Sequence, residues 1–168
     1  MNLYFMRHGI ALDRDDPSVG HDRERPLSQK GVKRMRKISR GLRQLDIPFD
    51  AVLTSPLLRA RQTAEIVTAT LEIQPLLEEI SGLAPESTVE HLLLGLNRYQ
   101  DRQHLLLVGH EPLLSDTAAS LLGWKQAGHI TLEFKKGSFC HIEVNSLSSG
   151  TPGKLRCLLT PKQLRALD

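Results

Sequence analysis

Strand, loop and helix signals recur three times in the first 123 residues, and this order narrows the possible folds more than any other feature. Asn2 to Met6 reads as a short buried strand that ends at Arg7, and Ala51 to Thr54 reads as a second. Leu105 to Val108, a continuous aliphatic run closed by Gly109, is the clearest buried strand in the chain. Helix signals follow each. Ser28 is the N-cap of a helix on which Val32, Met35, Ile38, Leu42 and Leu45 recur at helical spacing. Lys30, Lys33, Arg34, Arg36, Lys37, Arg40 and Arg43 fill its other positions and make a basic outer face. Ser55-Pro56 predicts a second helix, with Ser as N-cap and Pro at the first helical position, running to about Ile73. Pro75 to Leu77 predicts an edge-like strand, Thr88 to Gly95 a short helix, and Pro112 the opening of a helix over Leu113 to Leu122. After Gly128 the period changes to two, through Ile130, Leu132 and Phe134, then Phe139 to Val144 and Leu155 to Leu159. The expected architecture is an α/β three-layer sandwich, with a mixed, mostly parallel central sheet and helices on both faces, formed as a single domain over residues 1–168.

Composition agrees with one soluble globular domain: 168 residues, 40% apolar and 24% charged. Two cysteines, Cys140 and Cys157, suggest a reducing cytoplasm. No apolar run approaches the roughly 18 residues that a membrane span needs, so neither export nor a membrane partner is expected. The excess of 22 Lys+Arg over 19 Asp+Glu is mild and concentrated between Lys30 and Arg43. Aromatic residues make up 4% of the chain and leave few side chains on which bases can stack, so nucleic acid is not an expected partner. A Gly-rich phosphate loop is absent, which argues against a nucleotide-driven kinase or ATPase.

In open α/β sheets the loops at the carboxyl ends of the strands share one edge, so residues just after strands converge from distant parts of the sequence. Here they are Arg7-His8-Gly9, then Ser55-Pro56-Leu57-Leu58-Arg59, then Gly109-His110-Glu111-Pro112. Two histidines and two arginines at one rim describe an oxyanion site. Guanidinium forks bind phosphate oxygens bidentately, and helices starting near Ser55 and Pro112 add their N-terminal dipoles. A metal or other cofactor is not expected: the histidines lack a ligand spacing such as H-E-x-x-H, and two adjacent arginines repel a dication. Cys140 sits in an alternating strand and reads as a packing residue. His21, His91, His104, His129 and His141 belong to no constellation and read as structural or surface residues.

Four ordered motifs carry a resemblance: Met6-Arg7-His8-Gly9, Arg25-Pro26-Leu27-Ser28, Ser55-Pro56-Leu57-Leu58-Arg59-Ala60-Arg61-Gln62-Thr63-Ala64 and Val108-Gly109-His110-Glu111-Pro112. Together they resemble the histidine phosphatase (phosphoglycerate mutase-like) superfamily. The short length, the Leu83-Ala84-Pro85 loop and the His-Glu-Pro after the third strand resemble its SixA-type phosphohistidine phosphatases. The resemblance implies that His8 is the nucleophile, transiently phosphorylated, and that Arg7, Arg59 and His110 form the catalytic, phosphate-binding pocket. It also implies a phosphohistidine-bearing protein partner such as a phosphotransfer domain, in signal transduction. The two arginines are expected to help keep His8 neutral, and His110 to hold a proton once phosphate is bound.

Relatives that act on alcohols place a carboxylic acid after the third strand to protonate the leaving alkoxide. Glu78 and Glu79 lie in that stretch without the surrounding motif, and neither is assigned as an acid. General acid catalysis contributes typically about 10²–10⁴-fold to such a reaction. A phosphohistidine needs less help, because once its ring is protonated it leaves as neutral imidazole, whose conjugate acid has a pKa of about 6.5. Protein phosphohistidine is therefore the first expectation. Its alternatives are a small phosphomonoester such as a sugar phosphate, and a non-catalytic phosphate-binding module. The sequence leaves open whether the basic helix borders the pocket and whether residues 10–26 fold over it.

Overall fold

The computed structural model describes residues 1–73, 75–124, 131–147 and 152–168. In chain order its elements are β1 (Asn2–Arg7), α1 (Gln29–Arg43), β2 (Ala51–Thr54), α2 (Leu58–Leu71), β3 (Leu76–Glu79), α3 (Val89–Leu96), β4 (His104–Gly109), α4 (Leu113–Leu121), β5 (Phe139–Glu143), β6 (Lys154–Leu159) and α5 (Pro161–Ala166). The six strands form one sheet in the order β3-β2-β4-β1-β5-β6. The first four run parallel, β5 is antiparallel to β1, and β6 is antiparallel to β5 at the sheet's edge. This is the mixed α/β sheet that the sequence predicts.

Side chains alternate across a strand, so each central strand feeds two cores. Leu3, Phe5, Leu53, Leu105 and Leu107 pack on one face against Leu92 and Leu96 of α3 and Leu114 of α4. Tyr4, Met6, Val52, Leu106 and Val108 pack on the other, against Met35, Ile38 and Leu42 of α1, Ala64 of α2 and Leu164 of α5. Burial on both faces is what a continuous aliphatic strand such as β4 requires. At the outer end, Leu76 and Leu77 of β3 remain 42% exposed, as an edge strand allows.

Three local expectations change. The helix after Ser55-Pro56 begins at Leu58, and its N-cap position is Leu57 rather than Ser55. Ser55 is held elsewhere: its Oγ accepts from the Leu57 N–H at 3.3 Å and pairs with a histidine described below. The alternating stretch before Lys135 is not a strand, although Leu132 and Phe134 are buried and Thr131 and Glu133 exposed as alternation demands. Both edges of β1 are already taken by β4 and β5, so this segment finds no ladder there. His129 and Ile130 lie outside the described residues. Last, the C-terminal α5 goes beyond the sequence reading, yet its signal is local: Thr160 and Gln163 form a capping box with Pro161 in the first turn.

The second core is closed by α5 lying directly on α1. A Cβ built on Gly41 of α1 would stand 1.7 Å from the carbonyl oxygen of Leu164, so only glycine permits this approach. By contrast, nothing lies within 4 Å of a Cβ on Gly95 in α3. We predict that Gly41→Ala lowers the unfolding free energy by about 1–3 kcal/mol through overpacking. Gly95→Ala is expected to be neutral or stabilising by up to about 1 kcal/mol. Urea denaturation of the two variants checks the contrast, and equal effects would refute it.

Candidate active site

β1, β2 and β4 are parallel neighbours, so the residues that follow them gather at one edge of the sheet. The register sets Arg7 opposite Gly109. His8 and His110 therefore emerge side by side, with ring centroids 4.9 Å apart and planes tilted by 55°. The backbone N–H of His8 donates to the Gly109 carbonyl at 3.1 Å, and Ser55 N–H donates to the Val108 carbonyl at 3.0 Å, which locks the three turns together. Arg59 reaches the same rim from the first turn of α2. All four residues expected at the site are thus brought together, and His8, Arg59 and His110 are buried.

Each ring is held by one nitrogen. Nδ1 of His8 lies 2.7 Å from the Gly9 carbonyl oxygen, which only accepts, so Nδ1 carries the proton. That fixes the neutral tautomer with an unprotonated Nε2, the form a nucleophile needs. Nε2 of His110 pairs with Ser55 Oγ at 2.8 Å. Burial lowers the His8 pKa to about 2, reinforced by the His110 ring, Arg59 and Arg7. The arginines favour the neutral ring as the sequence suggests, but burial is the larger cause. For His110, burial followed by Arg59 lowers the pKa to about 3, so in the absence of an anion it too is neutral.

The arginines are held by backbone oxygens. Nη1 of Arg7 donates to the Phe134 carbonyl at 2.7 Å, and Nη1 of Arg59 donates to the Asp22 carbonyl at 2.8 Å. The Nε of each is buried without a partner among the described residues. Thr63, one helical turn after Arg59, donates to the Arg59 carbonyl at 2.7 Å and accepts from Gly9 N–H at 3.0 Å. It ties α2 to the turn that carries His8.

Several site residues escape sequence reasoning. Asp22 places Oδ2 3.1 Å from Arg59 Nη2 and Oδ1 3.0 Å from Arg25 Nη2. The segment between Ala11 and Leu27, which pair as an isolated bridge, therefore folds over Arg59. Partial burial raises the Asp22 pKa, but Arg59 and Arg25 outweigh it and hold the carboxyl below its usual range. Lys136 has its pKa lowered by burial and then by Arg7, which places its amine in the same positive field. Glu111, next to His110, is half-buried, and burial raises its pKa. Its Oε1 is buried without a described hydrogen-bond partner. Glu78 and Glu79 are directed elsewhere, Glu78 to Arg98 at 3.8 Å and Glu79 to Arg61 at 3.2 Å.

Of the remaining histidines, three make contacts away from the site. His104 Nδ1 lies 2.9 Å from the Tyr4 hydroxyl, His141 stacks on Tyr4 with centroids 4.4 Å apart, and His91 Nδ1 lies 3.0 Å from Ser87 Oγ. Cys140 is fully buried, and burial pushes its thiol up to about 12. Among the described residues, no three His, Cys, Asp or Glu side chains gather as a metal-binding group, and no helix is long and apolar enough to cross a membrane.

Residues 3–86 match the model of the histidine phosphatase superfamily (branch 1). An uncharacterised protein of Picosynechococcus sp. is 40% identical over 98% of this chain and 99% of its own. The phosphohistidine phosphatase SixA of Escherichia coli is 32% identical over 72% of this chain and 74% of its own. A solved structure of the protein histidine phosphatase SixA complexed with tungstate superposes with a TM-score of 0.83 at 26% identity, covering 98% of this chain and 99% of that one.

The neutral histidine pair makes stability depend on pH. In the unfolded chain both rings take up a proton below about pH 6.5. In the folded chain they do so only near pH 2 to 3. Between these limits the unfolded state binds more protons, so stability rises with pH and is lost on acidification, by up to about 1.4 kcal/mol per pH unit for each ring. Denaturation at pH 7, 6 and 5 is expected to show a steeper decline in the wild type than in His8→Asn/His110→Asn. Parallel declines would contradict the assignment.

Proposed function

Because the chain belongs to the histidine phosphatase superfamily (branch 1), and is by that membership a phosphatase, we propose that it hydrolyses phosphohistidine on a protein through a phospho-His8 intermediate. One observation carries the reading: an unprotonated His8 Nε2, fixed by the Nδ1–H bond to Gly9, stands beside His110 and within the electrostatic reach of Arg59 and Arg7. In the first step Nε2 bonds to phosphorus as the N–P bond of a ring-protonated phosphohistidine breaks; the bonding pair stays on the departing nitrogen, and the imidazole leaves neutral, keeping that ring proton. Arg7, Arg59 and His110 stabilise charge on the transferring phosphoryl oxygens, a purely positional and electrostatic contribution. In the second step a water oxygen bonds to phosphorus, Nε2 leaves, and phosphate is released.

The leaving group supports the choice of substrate. Glu78 and Glu79 are paired with Arg98 and Arg61 rather than with the histidines. A phosphohistidine ring leaves without an acid, whereas an alkoxide does not. We predict that His8→Ala reduces phosphate release from a phosphohistidine-bearing phosphotransfer domain by about 10³-fold or more. Acid-labile labelled phosphate is expected on His8 of the wild type. Undiminished turnover by His8→Ala would refute the mechanism, and labelling of His8 would exclude a module that merely binds phosphate.

Glu111 favours a second reading, hydrolysis of a small phosphomonoester. Burial lets this carboxyl keep its proton to higher pH than an ordinary glutamate, and it follows His110 directly. Under this reading Glu111→Gln lowers turnover of an alkyl phosphate by about 10²-fold while leaving phosphoramidate hydrolysis nearly unchanged. Equal sensitivity of the two substrates would remove it.

A further inference from the structure

The phosphate pocket does not end at Arg7. A cleft of about 550 Å3 is lined by Arg7, Arg34, Lys135, Lys136 and Lys162, together with Ile10, Thr160 and Pro161. A second cleft, of about 680 Å3, is lined by Lys30, Lys33, Arg34, Lys37 and Arg165, together with Gln29. Arg34 belongs to both, so the two are continuous along α1 as far as the start and end of α5. Nine of the chain's 22 lysines and arginines line this path, and no acidic side chain does. Elsewhere the surface pairs its charges, as in Arg40 with Asp168, Arg61 with Glu79 and Arg156 with Glu143. In a chain whose formal net charge is only +3, such a concentration is a local feature of this face.

Two details indicate the kind of occupant. Lys30 to Lys37 alone extends about 10 Å along the helix, farther than one phosphate group reaches. No aromatic side chain lines either cleft, which removes the stacking platform of a nucleic-acid site. Carboxylates spread over a protein surface match both the length and the charge.

We propose that this face docks the acidic surface of the phosphorylated protein substrate, and that docking accounts for much of substrate selection. The proposal rests on the reading that the substrate is a protein. Arg7 links the two sites, since it lines the first cleft and stands in the catalytic cluster, so a phosphohistidine in the pocket brings its neighbouring carboxylates onto the clefts.

The test uses the full chain and Lys33→Glu/Lys37→Glu, both exposed positions on α1, with thermal unfolding to verify the fold. Three measurements are made: binding of an unphosphorylated phosphotransfer domain of net negative charge, hydrolysis of its phosphorylated form, and hydrolysis of phosphoramidate. The variant is expected to bind the domain about tenfold more weakly, with a shallower salt dependence. KM for the phosphorylated domain should rise by the same factor at little-changed kcat, and phosphoramidate hydrolysis should be unaffected. Unchanged binding of the domain, equal losses on both substrates, or tighter wild-type binding to a single-stranded oligonucleotide than to the domain at the same salt would each overturn the docking proposal. Wild-type binding without hydrolysis of the phosphorylated domain would instead overturn the function proposed above and leave docking supported.

Discussion

Parallel pairing of β1 with β4, in a register that sets Arg7 against Gly109, is the constraint on which the site depends. Side chains alternate along a strand, so a slip of one residue would exchange the faces of β1 and send Leu3 and Phe5 into the core now occupied by Tyr4 and Met6. Both faces are apolar, so alternation alone would not forbid the slip. Packing shape fixes it, together with the His8 N–H bond to the Gly109 carbonyl at the strand ends. Once that register is set, residues 8 and 110 have no alternative to being neighbours, and β2, paired in turn with β4, delivers Ser55 to the His110 ring.

The cluster assembled in this way is electrostatically one-sided, and the chain tolerates it by leaving the rings uncharged. Four cationic side chains in a buried pocket would repel one another, whereas two arginines with two neutral histidines and one carboxylate do not. Asp22 supplies that carboxylate on the guanidinium of Arg59. The segment that carries it is anchored by the Ala11–Leu27 bridge and by Arg25 Nη1 donating to the Leu12 carbonyl at 3.0 Å. Pocket and covering segment thus share their charges.

Most of the architecture was legible because it rests on local patterns: aliphatic runs for β1, β2 and β4, helical spacing for α1, and the ordered loops after each strand. Arg7, His8, Arg59 and His110 were legible for the same reason, since each directly follows a strand or opens a helix at the rim. Asp22, Lys136 and the Phe134 carbonyl were not. Their roles arise from contacts across 37, 129 and 127 residues of sequence, to Arg59 and Arg7, and come from segments without a period. Ser55 misled because Ser-Pro has the form of a helix cap, yet the ring of His110 claims its hydroxyl and the helix starts at Leu58. Leu132 and Phe134 misled differently: alternation reported their burial correctly, but burial does not require a ladder.

The neutral rings also determine what an anion does on arrival. His110 resists protonation because burial and Arg59 oppose its positive charge. A phosphoryl group carrying two negative charges reverses the sign of the second effect and offers acceptors to the ring. Binding of the anion and of a proton therefore favour each other, and linkage makes the effect reciprocal. On His8, Nδ1–H stays on the Gly9 carbonyl, so the nitrogen open to a proton is Nε2. The two rings thus differ in what holds them, a backbone carbonyl on Nδ1 of His8 and a side-chain hydroxyl on Nε2 of His110.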